Sequence, residues 1–351
     1  MLGLQFTKQG KITEVNKMEV CADVDSSKIK ILKVLLSPED FATLKGDENA
    51  NYPIIPGRSA IGHLPNMNDM KDFAYLEDEK EDEKKIFIKV FINPVTPCGE
   101  CVECLSGNTN GCNNFLRAGK ETNGYLRDFA VVKNNQIFPL PPTIKDNEAI
   151  LIDYISLALA TIDKLNIQKG EHVAVIGGGL VGLLLTLLII YYQGVPILID
   201  GDEANLEKAR LAGSYYNLFS DNKLEKEVSE LTGAHMAQKV AYITDSNINT
   251  DVAIKLASYN AKVGFVGFSA PNLKVNFNLA MKKQLDFSCI TSGYGYTEQA
   301  INIIANKVID LGVFKIPTYK YEDSISIIKS LYKNLKDNGK EPPIIMIDMM
   351  L

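Results

Sequence analysis

Four cysteines, Cys98, Cys101, Cys104 and Cys112, lie in the run PCGECVECLSGNTNGC with the spacing C-x2-C-x2-C-x7-C. Thiolates are soft donors, and four of them close a tetrahedral zinc site with no open coordination position. Such a site ties a loop together and does no chemistry. An iron–sulfur cluster is the competing reading, because C-x2-C-x2-C also opens a bacterial ferredoxin run. That run closes after three residues and is followed by proline, whereas seven residues intervene here and Asn113 follows. Disulfide pairing is less favoured: only Cys21 and Cys289 lie elsewhere, and the N-terminal stretch MLGLQFTKQGKITEV lacks the apolar core of a signal peptide. Four thiols packed as small apolar groups would not call for Gly99, Gly107 and Gly111 around them.

A second constellation points to a nucleotide. Val173 to Ile176 read as a strand, followed by Gly177, Gly179 and Gly182 as G-x-G-x-x-G and then an apolar helix beginning Leu180, Val181. Each glycine has a physical reason: Gly177 for a tight turn, Gly179 for close backbone approach to a pyrophosphate, Gly182 for close helix–sheet packing. Gly178 adds flexibility that this fingerprint does not require. Asp200 ends the next strand, VPILID, about 20 residues on, where a carboxylate accepts hydrogen bonds from ribose hydroxyls and repels a 2′-phosphate. Gly201, Asp202 and Glu203 follow, with no arginine. NAD is therefore favoured over NADP. FAD is the other rival, but its fingerprint usually opens a chain, and this one begins mid-sequence.

The elements that must position these groups fall into two textures. At 351 residues the chain is long for one core, and two domains are expected. The first part is β-rich: KIKILKVLL, IFIKVFI and DFAVV are short apolar stretches broken by Pro53, Pro56-Gly57 and Pro141-Pro142. The mixed-charge run Leu76 to Lys85 reads as a solvated loop or hairpin tip. From Asn147 the pattern changes to a helix, EAILIDYISLALATIDKL, and then to alternating strands and helices: HVAVIGG, the apolar helix, VPILID, ANLEKARLAG, KVAYITD, AIKLASYN, AKVGFVGF and LDFSCITSG. This alternation builds an α/β, doubly wound parallel sheet. Two further helices, EQAINIIANKVI and ISIIKSLYKNLKDNGK, and a strand, PPIIMIDMM, complete the chain. The net charge of −6 argues against nucleic acid, which needs a basic face. The apolar run Leu180 to Tyr192 is too short to span a bilayer and reads as a buried helix, so no membrane partner is expected and a cytoplasmic location is.

A cysteine lobe ahead of such a fingerprint resembles the zinc-containing medium-chain dehydrogenase/reductases, which include alcohol, polyol and threonine dehydrogenases. Members commonly show NPxxPCGxCxxCxxGxxNxC, and NPVTPCGECVECLSGNTNGC matches it; NGYLRDFAVV and the proline-rich FPLPPTI follow as in the family. The resemblance covers essentially the whole chain. It implies a GroES-like, β-rich catalytic domain over 1–153 with a structural-zinc lobe at about 94–116, a Rossmann NAD-binding domain over 154–294, and a return to the first domain over 295–351, with the active site in the cleft between. It also implies a homo-oligomer, dimer or tetramer, for which the strand AKVGFVGF is a candidate joining edge.

The departures from the family concern its catalytic zinc. A motif like CGSDxHxxxG supplies a cysteine ligand; here the stretch is SPEDFATLKG, with Ser37 at the cysteine, Glu39 at the proton-relay hydroxyl, Ala42 at a frequent histidine, and Asp40 and Gly46 kept. The ligand motif PxxxGHE reads PIIPGRS, so Arg58 replaces histidine and Ser59 glutamate. A further acidic ligand of the polyol branch falls at Asp153-Tyr154. His63, His172 and His235 lie off the ligand positions. Serine is a poor zinc ligand and arginine cannot be one. The expectation is an NAD-dependent oxidoreductase acting on a small hydroxyl or carbonyl substrate with a structural zinc and no catalytic zinc. Arg58 would face a developing alkoxide or an anionic group, Glu39, Asp40 or Asp153 would pass the proton, Tyr154 is a possible hydroxyl donor, and Ser37 would fill the vacated volume. Two alternatives stay open: an inactive NAD-binding sensor or interaction protein, and a zinc enzyme with rearranged ligands.

Overall fold

The computed structural model describes residues 2–16, 22, 24–46, 51–65, 87–268, 273–339 and 342–350. Cys21 and the charged run Leu76 to Lys85 lie outside them. The chain divides into two compact units, Met1–Ile150 with Ile316–Leu351, and Leu151–Lys315.

The first unit is built on antiparallel pairing. β1 (Leu2–Lys8) and β2 (Lys11–Asn16) form a hairpin. β3 (Ser26–Leu36) is the long strand of a seven-stranded sheet and leads directly into α1 (Pro38–Lys45). β4 (Ser59–Pro65), β5 (Phe87–Ile92) and β9 (Ile137–Pro139) extend that sheet on one side of β3. On the other side lie β17 (Ile345–Asp348) and β16 (Thr318–Lys320), while β8 (Phe129–Lys133) pairs with the start of β3. The apolar alternation of β3 buries Ile29 and Ile31; an irregularity between Ile31 and Lys33 then resets the register, and Val34, Leu35 and Leu36 are all buried. The cysteine run projects between β6 (Val95–Thr96) and β7 (Leu116–Arg117), with α2 (Val102–Leu105) inside it. α3 (Asp146–Ala149) precedes the end of this segment, and α11 (Ser324–Asn338) belongs to the same unit.

The second unit opens with α4 (Ile152–Leu165). Its sheet is wholly parallel: β10 (His172–Ile176), β11 (Val195–Asp200), β12 (Tyr216–Phe219), β13 (Ala237–Ile243), β14 (Ala257–Val266) and β15 (Asp286–Ile290), in the spatial order β12-β11-β10-β13-β14-β15. This is the doubly wound order 3-2-1-4-5-6, so the expected α/β class holds. The connecting helices are α5 (Leu180–Tyr191), α6 (Glu203–Leu211), α7 (Leu224–Leu231), α8 (Asp251–Leu256) and α9 (Phe277–Lys283). α5 is apolar almost all round because it is buried almost all round, from Val181 to Ile189. Among the described residues, no helix is long and apolar enough to cross a membrane.

Three sequence expectations change here. α10 (Thr297–Ala305) packs against α4, so the second unit runs on to Lys315 and the return to the first begins at Ile316, not 295. AIKLASYN is helical only to Leu256; from Ala257 it is already strand, paired with β13. Ala261 to Val266 of AKVGFVGF lie in β14, hydrogen-bonded to β13 on one side and β15 on the other, so the strand has no free edge to offer a second copy.

Candidate active site

The glycine turn sits at the carboxyl end of β10. Gly177 has φ 106°, a left-handed value that a side chain would strain, and its N–H donates to the Ile199 carbonyl at 2.8 Å. Gly179 is the N-cap of α5, and no atom lies within 4 Å of where its Cβ would stand. That open backbone, at the positive end of a helix, is a place for a phosphate. Gly182 is the opposite case: a Cβ there would stand 1.7 Å from the Gly177 carbonyl oxygen, so only glycine lets α5 pass this close to the turn. Leu180 is half-buried and Val181 buried in the first turn of that helix.

Asp200 is held from several sides. Its Oδ1 accepts the Asp202 N–H at 2.7 Å; its Oδ2 accepts the Gly178 N–H and, at 3.3 Å, the Asn205 side-chain amide. Gly178, which the fingerprint did not require, has a use after all. A Cβ there would stand 3.0 Å from Asp200 Oδ2 and 3.2 Å from Asn205 Cβ, so its absence lets the carboxylate close over the turn. A cavity of about 550 Å³ opens above, lined by Gly177, Gly179, Asp200, Asn205, Ser220 and the segment Asp245–Asn249, among others. Every charged residue lining it is acidic: Asp200, Asp202 and Asp245. Sequence reasoning missed Asn205, Ser220 and the 245–249 wall. The polar cluster after KVAYIT was the available signal, but only the fold carries it to the glycine turn.

The four cysteines converge. Their sulfurs all lie within 4.8 Å of one another, with Cys98–Cys112 at 3.5 Å and Cys98–Cys104 at 3.9 Å. Zinc–sulfur bonds of about 2.3 Å imply tetrahedral edges of roughly 3.8 Å, so the set fits a structural zinc. Backbone N–H groups of Glu100 and Cys101 hold the Cys98 thiol down to about 6, while burial pushes the Cys104 thiol of the same cluster up to about 12. Among the described residues, no other group of three or more His, Cys, Asp or Glu side chains is close enough to hold a metal.

The residues expected at the catalytic-zinc positions are organised differently from the cysteines. Ser37 caps α1 and is fully buried, as is Ser59; Arg58 is 4% exposed and Asp40 4%. Asp40 Oδ2 accepts the Ser37 N–H at 2.9 Å and the Ser37 hydroxyl at 3.1 Å, while Oδ1 accepts the Gly57 N–H at 2.7 Å. Desolvation by burial raises the Asp40 carboxyl to about 6 despite those bonds; Glu39 adds to the rise. Asp40 therefore acts on backbone, clamping the start of α1 to the turn that carries Arg58. Glu39 is half-buried, and its Oε2 has no hydrogen-bond partner, as is true of Ser59 Oγ. Asp153, in the first turn of α4, is buried in the second unit; there Tyr154 meets Phe268 edge-to-face at 5.2 Å. Among the described residues, no histidine belongs to a group that could hold a metal, and His63 stacks on Phe87 at 5.4 Å.

Comparison with known proteins agrees with this architecture. Residues 25–142 match the alcohol dehydrogenase GroES-like domain. The chain is 25% identical over 283 residues to an uncharacterized zinc-type alcohol dehydrogenase-like protein of Haemophilus influenzae, covering 80% of each. It is 24% identical to a sorbitol dehydrogenase of Halalkalibacterium halodurans, covering 74% of each. Among solved structures, an Escherichia coli CFT073 protein named a short chain alcohol dehydrogenase, complexed with NADH, superposes with a TM-score of 0.82 at 18% identity over 99% of both chains. A Sinorhizobium meliloti 1021 protein solved with NADP bound gives 0.82 at 16% identity, again over 99% of both.

Proposed function

This chain is an alcohol/polyol dehydrogenase-like oxidoreductase of the zinc-containing medium-chain dehydrogenase/reductase family, and from that premise we propose that it transfers hydride between NAD and a small hydroxyl or carbonyl compound without a catalytic zinc. The observation that supports it most is the pair Ser37 and Arg58: both side chains are buried, one a poor zinc ligand and the other unable to be one, at the positions that the resemblance aligns with zinc ligands, and Asp40 binds the backbone of Ser37 and of Gly57 beside them.

NAD is held by Gly177, Gly179 and Asp200, with the α5 N-terminus toward the pyrophosphate; bound there, it supplies the hydride acceptor or donor. The uniformly acidic lining of the cavity supports NAD over NADP, since it offers a 2′-phosphate repulsion and no cation. Zinc in the cysteine lobe supplies local stability.

In the first unit, Arg58 brings a permanent positive charge to the place where the family puts a metal. It would hold the substrate oxygen as negative charge develops, or grip a carboxylate or phosphate in a bidentate pair. Glu39, whose Oε2 is without a partner, is the better placed of the two α1 carboxylates to accept or return the proton, because Asp40 is occupied by backbone. The direct test is NADH formation against polyols, sugar phosphates and hydroxy acids, with metal content measured on the same sample. Turnover with about one zinc per chain supports the reading; turnover that needs a second zinc defeats it. Replacement of the same ligand positions favours a second reading, an NAD-binding protein without turnover, which no reaction across that panel would support.

A further inference from the structure

The cavity wall from Asp245 to Asn249 is loop, with no helix or strand to fix it. Its ends are tied locally: Ser246 N–H donates to the Ile243 carbonyl at 2.9 Å, and Asn249 Oδ1 accepts the Asp251 N–H at 2.9 Å. Its middle is tied from below. Tyr242, near the end of β13, is 2% exposed, and its Oη lies 2.5 Å from the Ile248 carbonyl oxygen and 3.3 Å from that of Ser246. The hydroxyl has one hydrogen, and the nearer carbonyl, Ile248, takes it. The wall also touches the glycine turn: a Cβ on Gly177 would stand 3.1 Å from Ser246 Cβ.

The ring of Tyr242 belongs to an apolar cluster with Ala174, Ile176, Val240 and Val263, and it lies 5.8 Å from Phe265. Phenylalanine would fill that space as well. A hydroxyl buried there is costly unless it is bonded, and both oxygens within its reach are carbonyls of the wall. Burial, and then the nearby charge of Asp245, raises the Tyr242 pKa, so the hydroxyl keeps its proton at working pH.

We propose that Tyr242 is a positioning residue for the dinucleotide, its hydroxyl holding the Ser246–Ile248 wall against the Gly177 turn so that the cavity is preformed. This rests on the reading that the cavity takes NAD. Tyr242 does not line the cavity and acts through the loop alone. A preformed wall spares the ligand the entropy of ordering it, and that saving appears as affinity.

The test is Tyr242→Phe, which keeps the ring and the packing. NADH binding is followed by fluorescence titration, and amide hydrogen exchange is followed over 245–250 in the free protein. We expect faster exchange confined to the wall, a Kd for NADH raised about fivefold, the effect of one neutral hydrogen bond, and kcat at saturating NADH near the wild-type value. A lowered Tm with unchanged Kd would mark a purely structural tyrosine and overturn the proposal, as would unchanged exchange. Wild-type protein that does not bind NADH would instead remove the dinucleotide reading itself, an outcome told apart by the first titration.

Discussion

Asp40 Oδ1 accepts the backbone N–H of Gly57 at 2.7 Å, and through that bond a helix start and a strand start share one carboxylate. The other oxygen takes the N–H and hydroxyl of Ser37. The segments carrying Ser37 and Arg58, the positions that the resemblance aligns with metal ligands, are thus tied together through one carboxylate. Hydrogen bonds from the Ser37 and Gly57 backbone to one carboxylate join the two segments.

The same carboxylate gives stability a pH dependence. Burial holds Asp40 at about 6 against 3.8 for a free side chain. The folded state therefore binds this proton more tightly than the unfolded state. Its contribution is fully present below about pH 4 and is lost as pH rises through 6, a change of about 2–3 kcal/mol. Asp40→Asn does not titrate. The stability difference, wild type minus Asp40→Asn, should fall by that order between pH 4 and 7 in urea unfolding. Groups common to both proteins cancel in that difference. A difference independent of pH would contradict the assignment.

The cysteine lobe should carry about one zinc per chain, released slowly to chelators. Cys101→Ser should lower Tm by several degrees while NADH affinity stays within a few-fold, since the lobe and the cavity lie in different units. Metal analysis and a thermal melt suffice. Protein free of metal, or brown with iron, would be the contrary result.

Asp200→Ala should weaken NADH by about tenfold and bring the NADH and NADPH dissociation constants closer together. The carboxylate offers its acceptors to ribose hydroxyls, and the lining has no cation for a 2′-phosphate. Loss of Asp200 also frees the Gly178 and Asp202 N–H groups that it now accepts. Tighter binding of NADPH than NADH by the wild type would reverse the reading.

How much of this was legible follows from how local each cause is. The glycine turn was legible because its constraint is steric and sits within six residues: Gly182 must clear the Gly177 carbonyl wherever the fold puts them. The cysteine lobe was legible because ligand chemistry dictates residue type. AIKLASYN misled because its alanines, lysine and leucine favour helix, while Ala257 is drawn into the sheet beside Ala237, a tertiary pairing that overrides propensity. β12 passed unnoticed because its four residues are a partly exposed edge without alternation. Asp40 was legible as a retained acid that could pass a proton; that its partner is Gly57 depends on the β3–β4 pairing that places the two starts side by side.

Gly182→Ala should be among the most damaging single-methyl changes in the chain. The added carbon would meet a backbone oxygen at 1.7 Å, and no rotamer can move it. α5 would have to lift from the sheet, at a cost of roughly 1–3 kcal/mol or more. A lower urea midpoint together with lost NADH binding is expected. Gly179→Ala, where the space is open, should fold normally and lose affinity only. Equal stability losses for the two would show that the turn is softer than its geometry implies.

Arg58 decides between a zinc-free dehydrogenase and the other readings. It is 4% exposed, carries a permanent charge, and replaces a metal ligand in a segment held by Asp40. A permanent positive charge in a buried segment suits a developing oxyanion or an anionic group of the substrate. Arg58→Ala should abolish turnover and leave NADH affinity within a few-fold, because the cavity proposed for the dinucleotide lies in the other unit. Arg58→Lys keeps the charge without the planar fork and should retain a small fraction of activity, with KM rising more than kcat falls if the guanidinium grips a substrate anion. Added zinc should neither raise wild-type activity nor rescue Arg58→Ala. Arg58→His restores a possible ligand but not the cysteine, and should stay inactive with zinc present. Undiminished turnover in Arg58→Ala, or zinc-dependent turnover in the wild type, would refute the mechanism centred on this residue.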